Sequence, residues 1–205
     1  MARLPQRKGS TRRPHNVVIV VTEGRTERMY FNGLKERNCN VLIKTPGSSD
    51  TDAVNLVRFC IRQMSENGLD TDDGDLAICV FDVDENPDEH LRKAADLAER
   101  NGVILAVSNP CFELWLALHF TDIGHQIDRK EVHALVCRNI KGYSKTKDHN
   151  DVLAPLRRTA VLRAERLWAN DANAEKVGGC PSNPSTGVHI AIKRIEELKR
   201  RNILR

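Results

Sequence analysis

Acidic residues follow two short apolar segments of the sequence, at positions where carboxylates do chemistry in many enzymes. Residues 17–21 (VVIVV) and 76–81 (LAICVF) are rich in β-branched and aromatic residues, which predicts buried strands. The acids are Glu23 after the first segment and Asp82, Asp84 and Glu85 after the second. Because ligands of parallel α/β sheets bind beyond the carboxyl ends of the strands, we expect these acids at one functional edge.

Carboxylates this close together repel one another unless a proton or a cation holds them. Oxygen ligands favour hard ions, so the expected cofactor is Mg²⁺ or Mn²⁺, as one or two ions. Gly24 permits a tight turn after Glu23, and a helix expected from Thr26 would direct free N–H groups toward a bound group. The alternative interpretation is that Asp82 and Asp84 simply belong to a polar turn after a strand.

The rest of the sequence supplies the elements that would position these acids. Four strand-like segments alternate with amphipathic helical patterns between residues 16 and 120. This alternation predicts an α/β fold with a mainly parallel four-stranded sheet flanked by helices. Later helical patterns predict a C-terminal helical extension packed on that core. We therefore expect a basic flexible arm over 1–15, an α/β core over 16–120 and the extension over 121–205.

Several other residues are predicted to be structural. Tyr30 and Phe31 precede Leu34 at helical spacing, which favours core packing over base stacking. His119 lies near a predicted helix end, where a histidine with satisfied hydrogen bonds is more common than a ligand.

Composition narrows the class of protein. With 205 residues, 40% of them hydrophobic and 29% charged, the chain has the makeup of a globular protein with one main core. No apolar run approaches the roughly 18 residues of a membrane span, and no apolar signal segment opens the sequence. We therefore expect a cytoplasmic protein with no membrane partner. The six cysteines form no C-x-x-C pair, which argues against zinc sites.

Five fragments in order carry a resemblance to known proteins. The pattern of an apolar strand, Glu-Gly and a later Asp-x-Asp resembles the Toprim pattern of topoisomerases, bacterial primases and OLD-family nucleases. More closely, the chain resembles the RloB-like family from about residue 17 to its end. The fragments are EGRTE at 23–27 with YF at 30–31, DVD at 82–84, SNPCFELW at 108–115 with HF at 119–120, GYSK at 142–145 and NPST at 183–186.

The resemblance implies a Toprim- or Rossmann-like fold and a metal-dependent phosphodiesterase, a nuclease associated with restriction and phage-defence loci. In this interpretation Glu23, Asp82 and Asp84 hold a Mg²⁺ or Mn²⁺ ion, and Glu27 and Glu85 help a second. The general base is either Glu23 or a hydroxide held by the metal. Lys145, in a basic flexible loop, neutralises charge in the transition state. Asn109 and Glu113 are expected at the same edge of the sheet, in supporting roles.

Contacts to nucleic acid are expected from basic residues and from one loop. Arg12 and Arg13 lie in a segment with no acid, and such arms bind phosphate backbones or act only as solubilising extensions. Arg25 lies beside the first acid. Ser185 and Thr186 are expected to form an anion site with the N–H groups of the helix that follows them. The resemblance implies an ATPase partner, since family members often accompany an ATPase encoded nearby. The chain itself has no G-x-x-x-x-G-K-[ST] motif, so it is not expected to hydrolyse ATP by a P-loop mechanism.

Two other functions stay open at this point. A non-catalytic nucleic-acid-binding or effector module would keep the fold and act through an ATPase partner. A receiver-like phosphoacceptor also clusters aspartates around Mg²⁺, but the chain offers no clear acceptor aspartate. The substrate stays open among DNA, RNA and tRNA.

Overall fold

The computed structural model describes residues 15–36, 39–83, 86–170 and 182–203. The strands are β1 (Asn16–Thr22), β2 (Val41–Lys44), β3 (Leu76–Asp82), β4 (Val103–Asn109) and β5 (Ser185–Thr186). None of the helices in these ranges is long and apolar enough to cross a membrane.

Eight α-helices and one 3₁₀-helix occur among the described residues. The helices before residue 120 are α1 (Arg25–Asn32), α2 (Ala53–Glu66), α3 (Asp88–Arg100) and α4 (Glu113–Leu118). Those after it are α5 (Arg129–Asn139), α6 (Asn150–Leu153), the 3₁₀-helix Ala154–Leu156, α7 (Arg157–Asn170) and α8 (Val188–Ile203). Side-chain caps stabilise the starts of two helices. Before α2, the Asp52 side chain accepts a hydrogen bond from the Asn55 N–H. At the start of α5, Asp128 and Glu131 form a capping box.

The sheet has the strand order β2-β1-β3-β4-β5. The first four strands pair in parallel, while β5 pairs antiparallel with the end of β4 through Ser108 and Asn109. The fold is therefore α/β with a five-stranded, mostly parallel sheet, flanked by helices and closed by a C-terminal helix. This architecture is compatible with a Rossmann- or Toprim-like fold.

The prediction of four strands was one short, and the C-terminal part is not wholly helical. The missing strand, β5, has only two residues, too few to show the alternation of apolar and polar residues by which a strand is recognised. Its place depends on pairing with β4, which lies far away in the sequence.

Alternate residues of the central strands pack into two hydrophobic layers. In β1, Val18 and Val20 face one layer, and Ile19 and Val21 face the other. The second layer lies against α2 and α3, while the first is covered by α1, α4 and the later helices. Both faces of the sheet are buried, which explains why its strands read as continuous apolar runs.

Residues on both sides of position 120 contribute to the first layer. Val132, Ala160 and Ile192 belong to the same cluster of buried residues as Val20 and Trp115. The proposed division of the chain at residue 120 remains a prediction, but the two parts share a core.

Candidate active site

Glu23 and Asp82 meet at the carboxyl ends of β1 and β3. The strands are hydrogen-bonded neighbours, and the register pairs Thr22 with Val80. The Glu23 N–H donates to the Val80 carbonyl at 3.1 Å, and the Asp82 N–H donates to Glu23 Oε2 at 3.2 Å. The expected convergence of these two acids at one edge is therefore present.

Glu27 enters the same cluster from the first turn of α1. It is only 7% exposed, and its carboxylate folds back toward the turn that precedes the helix. A Cβ atom on Gly24 would lie 2.5 Å from Glu27 Oε2, closer than real side chains approach. A side chain at this position would therefore displace the Glu27 carboxylate, while the φ of −119° at Gly24 is open to any residue.

Glu113 adds a fourth carboxylate from the start of α4, just after β4. Its side chain is 6% exposed and lies 2.8 Å from Lys145 Nζ. The Tyr143 hydroxyl donates to the same Oε1 atom at 3.2 Å. The loop that carries these two partners is held to α1 by a bond from the Thr26 hydroxyl to the Lys145 carbonyl, at 3.2 Å.

Arg129 approaches the cluster from the first residue of α5. One guanidinium nitrogen lies 3.6 Å from Asp82 Oδ2, and the guanidinium also donates to the Pro110 carbonyl at 3.3 Å. Its side chain is still 46% exposed. Arg129 and Lys145 therefore place two cations at the edge of a group of carboxylates.

Two cavities meet at the start of α5. One, of about 320 Å³, is lined by carboxylates and cations and is called the carboxylate cavity below. Its lining residues are Asp82, Cys111, Glu113, Arg129, Lys130, His133 and Lys145. The other, of about 680 Å³, is called the α5 groove; it is lined by Val83, Asn109, Pro110, residues 126–131 and Asn183. Arg129 and Lys130 line both.

Burial and mutual repulsion favour protonated forms of two of the acids. Burial raises the pKa of Asp82 to about 8, and the charges of Glu27, Glu23 and Glu113 add to the increase. Burial likewise raises the pKa of Glu27 to about 7, again with help from Glu113 and Glu23. Burial also opposes ionisation of Glu113, but the hydrogen bond and charge of Lys145 outweigh it and lower its pKa.

Two carboxylate oxygens in the cluster accept no hydrogen bond from the described residues. They are Glu27 Oε2 and Asp82 Oδ1, and both are buried. Buried anionic oxygens without partners are costly, and a hard divalent cation is a natural partner for them. The donor set therefore suits Mg²⁺ or Mn²⁺ in its chemistry. Within the described residues, however, no three histidine, cysteine or acidic side chains are already arranged as a metal site.

A family model described as RloB-like protein matches residues 18–195. The chain belongs to the RloB-like family. No curated protein matches it, and no solved structure does either.

The other residues predicted for the site of this RloB-like protein lie in different places. Arg25 is exposed at the start of α1. Asn109 ends β4 and lines the α5 groove rather than the carboxylate cavity. Four predicted residues lie outside the described part of the chain: Arg12, Arg13, Asp84 and Glu85.

Ser185 and Thr186 differ from the expectation of an anion-binding loop. Both are fully buried in β5. The Thr186 hydroxyl lies 2.9 Å from that of Ser108, and the Ser185 hydroxyl has no partner among the described residues. A phosphate cannot reach buried sheet residues, so this geometry gives no support to the phosphate-binding role expected of them.

Arg129 and Lys130 were missed by the sequence reasoning, although a signal was present. Asp128 and Glu131 have the spacing of a capping box, which marks the helix start. Two cations in the first turn of a helix oppose its dipole, which favours acidic residues there. Residues that go against the usual preference at a helix start are often found at functional positions.

The structural interpretations of the aromatic residues and of His119 are confirmed. Tyr30 and Phe31 are buried in the core. His119 is 1% exposed, and its Nδ1 lies 2.9 Å from the Trp115 carbonyl. Burial lowers the pKa of His119 to about 4, as expected of a neutral core histidine.

Proposed function

We propose that this RloB-like protein is a divalent-metal-dependent phosphodiesterase, a nuclease that acts on DNA or RNA. The observation that carries the proposal is the convergence of four carboxylates beside exposed cations; two of the carboxylates have a buried oxygen that accepts no hydrogen bond from the residues the structure describes. The carboxylates are Glu23, Glu27, Asp82 and Glu113. A phosphodiester substrate is negatively charged, so it is well suited to a site that can hold a divalent cation.

Glu23, Glu27 and Asp82 would hold Mg²⁺ or Mn²⁺, with Asp84 as a further candidate from the sequence. When bound, the ion supplies Lewis-acid stabilisation of the phosphoryl oxygens. Glu23 stays the candidate general base from the sequence.

Lys145 would stabilise negative charge on the phosphate as it develops. Its ammonium group is positioned by Glu113 but remains well exposed, with 66% of the side chain accessible. Glu113 thus orients the cation, and the Tyr143 hydroxyl donates to the same carboxylate oxygen of Glu113. Lys145 can therefore contact a substrate phosphate while its ammonium group stays paired with Glu113.

A nuclease assay with a matched variant tests the proposal. Labelled DNA, RNA and tRNA are incubated with the protein and Mg²⁺ or Mn²⁺, beside Asp82→Asn and an Asp82→Ala, Asp84→Ala double variant. Cleavage by the parent that both variants lose and that EDTA stops is the expected result. Cleavage that persists in the variants would show a contaminating nuclease and remove the support for the site.

A non-catalytic nucleic-acid-binding or effector module is the second candidate. The observation that favours it is the lack of an arranged three-ligand metal site among the described residues. This function predicts binding without metal and no cleavage under any metal condition, so the same assay separates the two.

The wider setting is also proposed from the family resemblance. The protein would act in phage defence in the cytoplasm, together with an ATPase that supplies the nucleotide hydrolysis for which this chain has no P-loop motif. Co-expression with a candidate ATPase, followed by co-purification, tests this partnership.

A further inference from the structure

A second pair of cations, Arg25 and Arg28, lies within the first four residues of α1. Residues three apart share one face of a helix, where two like charges repel each other, and positive charge near a helix start also opposes the helix dipole. Across the part of the chain that the structure describes, neither guanidinium forms an ion pair or a hydrogen bond. The chain therefore places two cations together against local preference and gives them no anion of its own.

Gly47 determines where the Arg28 guanidinium lies. This glycine forms a parallel bridge with Thr22, the last residue of β1, so it stands beside the residue that precedes Glu23. A Cβ atom on Gly47 would lie 2.7 Å from Arg28 Nη1, closer than real side chains approach. The half-buried Arg28 side chain thus packs directly against the glycine backbone at the carboxyl edge of the sheet.

The loop around Gly47 is fixed without help from Arg28. The Thr45 hydroxyl donates to Asn32 Oδ1 at 2.9 Å, which ties the loop to the last residue of α1. The one acid that follows closely, Asp50, accepts from the Ser48 hydroxyl at 3.3 Å, and its N–H donates to that hydroxyl at 3.1 Å. Because this acid is held within its own loop, the donors of Arg28 remain available to a ligand.

Cations therefore lie beyond both ends of the row of acids. The strands follow in the order β2, β1, β3 and β4, with Gly47 after β2 and Glu113, the partner of Lys145, after β4. Three strand spacings of about 4.8 Å separate these two positions, which is roughly 14 Å. One phosphate group is too small to contact cations at both ends, whereas a chain of phosphates can extend from one end to the other.

Building on the proposed function, we infer that Arg28, together with Arg25, binds a second phosphate of the substrate on the β2 side of the acids. The substrate is then a polynucleotide strand with several phosphates, rather than a small molecule with a single phosphodiester. Its backbone crosses the carboxyl edge of the sheet from the Lys145 loop to Gly47. DNA and RNA share this chemistry, so both are compared below.

Binding without metal tests this inference separately from catalysis. The full chain is titrated in EDTA with a labelled single-stranded DNA and with the RNA of the same sequence, at several salt concentrations. Arg28→Gln removes the charge, and its control, Lys35→Gln, removes an exposed charge just after the same helix. Gly47→Ala keeps the charge but displaces the guanidinium, and its control is Gly124→Ala, whose Cβ meets nothing within 4 Å. Circular dichroism checks that each variant is folded.

The expected result is weaker binding of one or both strands by Arg28→Gln and by Gly47→Ala. A hydrogen-bonded charge contact is worth about 1.5–3 kcal/mol, so Arg28→Gln should weaken binding by about tenfold or more. It should also lower the slope of log K against log salt by about 0.7, the value for one single-strand phosphate contact. Lys35→Gln and Gly124→Ala should each change binding by less than about twofold.

A further variant, Asp50→Asn, shows whether Arg28 serves that acid instead of a phosphate. Removing the acid should leave binding unchanged or make it tighter, because a negative charge beside the site is lost. Weakening as large as that of Arg28→Gln would mean that the two residues act as a pair, and would overturn the inference.

Three other results would also overturn it: no binding of either strand, equal effects of Arg28→Gln and Lys35→Gln, or Gly47→Ala binding as tightly as the parent. If the strands bind through Arg28 but are not cleaved with Mg²⁺ or Mn²⁺, the proposed nuclease fails and this phosphate site stands. If they are cleaved but Arg28→Gln binds them like the parent, the phosphate site fails and the nuclease stands.

Discussion

At the scale of single residues, Asp82 connects the stability of the protein to pH. Its pKa in the folded state is about 8, against about 3.9 in an unfolded chain. Between these values the folded state binds the proton and the unfolded state does not. Stability is therefore greatest below about pH 4 as far as this group is concerned, and is lost as the pH rises toward 8.

We predict that Asp82→Asn makes the metal-free protein more resistant to unfolding at pH 8. A shift of one pKa unit corresponds to about 1.4 kcal/mol, so the parent should lose more than about 1 kcal/mol between pH 6 and 8 on account of this group. The amide cannot ionise and avoids the loss. Chemical denaturation in EDTA at both pH values measures it, with the exposed Asp96→Asn as control. Parallel pH profiles for parent and Asp82→Asn would contradict the prediction.

Divalent ions should reverse this loss of stability. An ion that binds only the folded state adds about 2.7 kcal/mol at 100 times its dissociation constant. Because protons compete for the same oxygens, we expect Mn²⁺ to raise the melting temperature more at pH 8 than at pH 6. Differential scanning fluorimetry follows the shift, which Asp82→Asn should abolish and Asp96→Asn should not. A shift of equal size in both variants would place the ion elsewhere.

Lys145 offers a test of charge stabilisation in which folding is measured beside activity. The lysine side chain is largely exposed, but its partner Glu113 is only 6% exposed, so removing the ammonium group leaves a buried carboxylate without its cation and also destabilises the fold. A thermal melt of Lys145→Ala measures that loss separately. If the Lys145 ammonium group meets the developing charge, Lys145→Ala should lower kcat by about 100-fold, as does removal of other groups of this kind. Lys147→Ala removes an exposed lysine from the same loop and should leave kcat unchanged. Similar kcat values for both variants would exclude the role.

At the scale of elements, the turn between β1 and α1 sets the position of Glu27. We predict that Gly24→Ala keeps the fold, because the backbone there is extended, but moves the Glu27 carboxylate, which a Cβ would meet at 2.5 Å. Metal-dependent activity and the Mn²⁺ shift in melting temperature should both fall. Gly124→Ala is the matched control, since its Cβ meets nothing within 4 Å. If Gly24→Ala keeps the full Mn²⁺ shift, Glu27 does not contribute to the metal site.

The strands and helices also show how much of the fold and of the site could be predicted from the sequence. The apolar runs of β1 and β3 are long enough to show their burial, and the acids after them could be placed at one edge because parallel strands end together. Arg129 could not be placed in this way, because its helix docks on the site through tertiary packing that no local pattern encodes. The same holds for Ser185 and Thr186, whose pairing with β4 decides their burial.

At the scale of the whole molecule, the site is assembled from both halves of the chain. Glu23, Glu27, Asp82 and Glu113 precede residue 120, whereas Arg129 and Lys145 follow it. The hydrophobic layer beneath them is shared in the same way, since Val132, Ile140 and Ile192 pack with residues of β1 and β3. The C-terminal part therefore completes both the core and the group of charges.

A chain that ends at residue 120 tests this dependence. It would expose the face of the sheet that α8 covers and lose β5 from the edge at β4. Burial of apolar surface stabilises a protein by about 25 cal/mol per Å², and the total stability of a protein is typically only about 5–15 kcal/mol. Exposing this face of the sheet should therefore cost more free energy than the remaining contacts can offset. We expect no cooperative thermal transition by circular dichroism and aggregation in gel filtration. A shortened chain that stays monomeric and melts cooperatively would instead establish residues 16–120 as an independent domain, whose acids could then be assayed without the cations of α5 and the Lys145 loop.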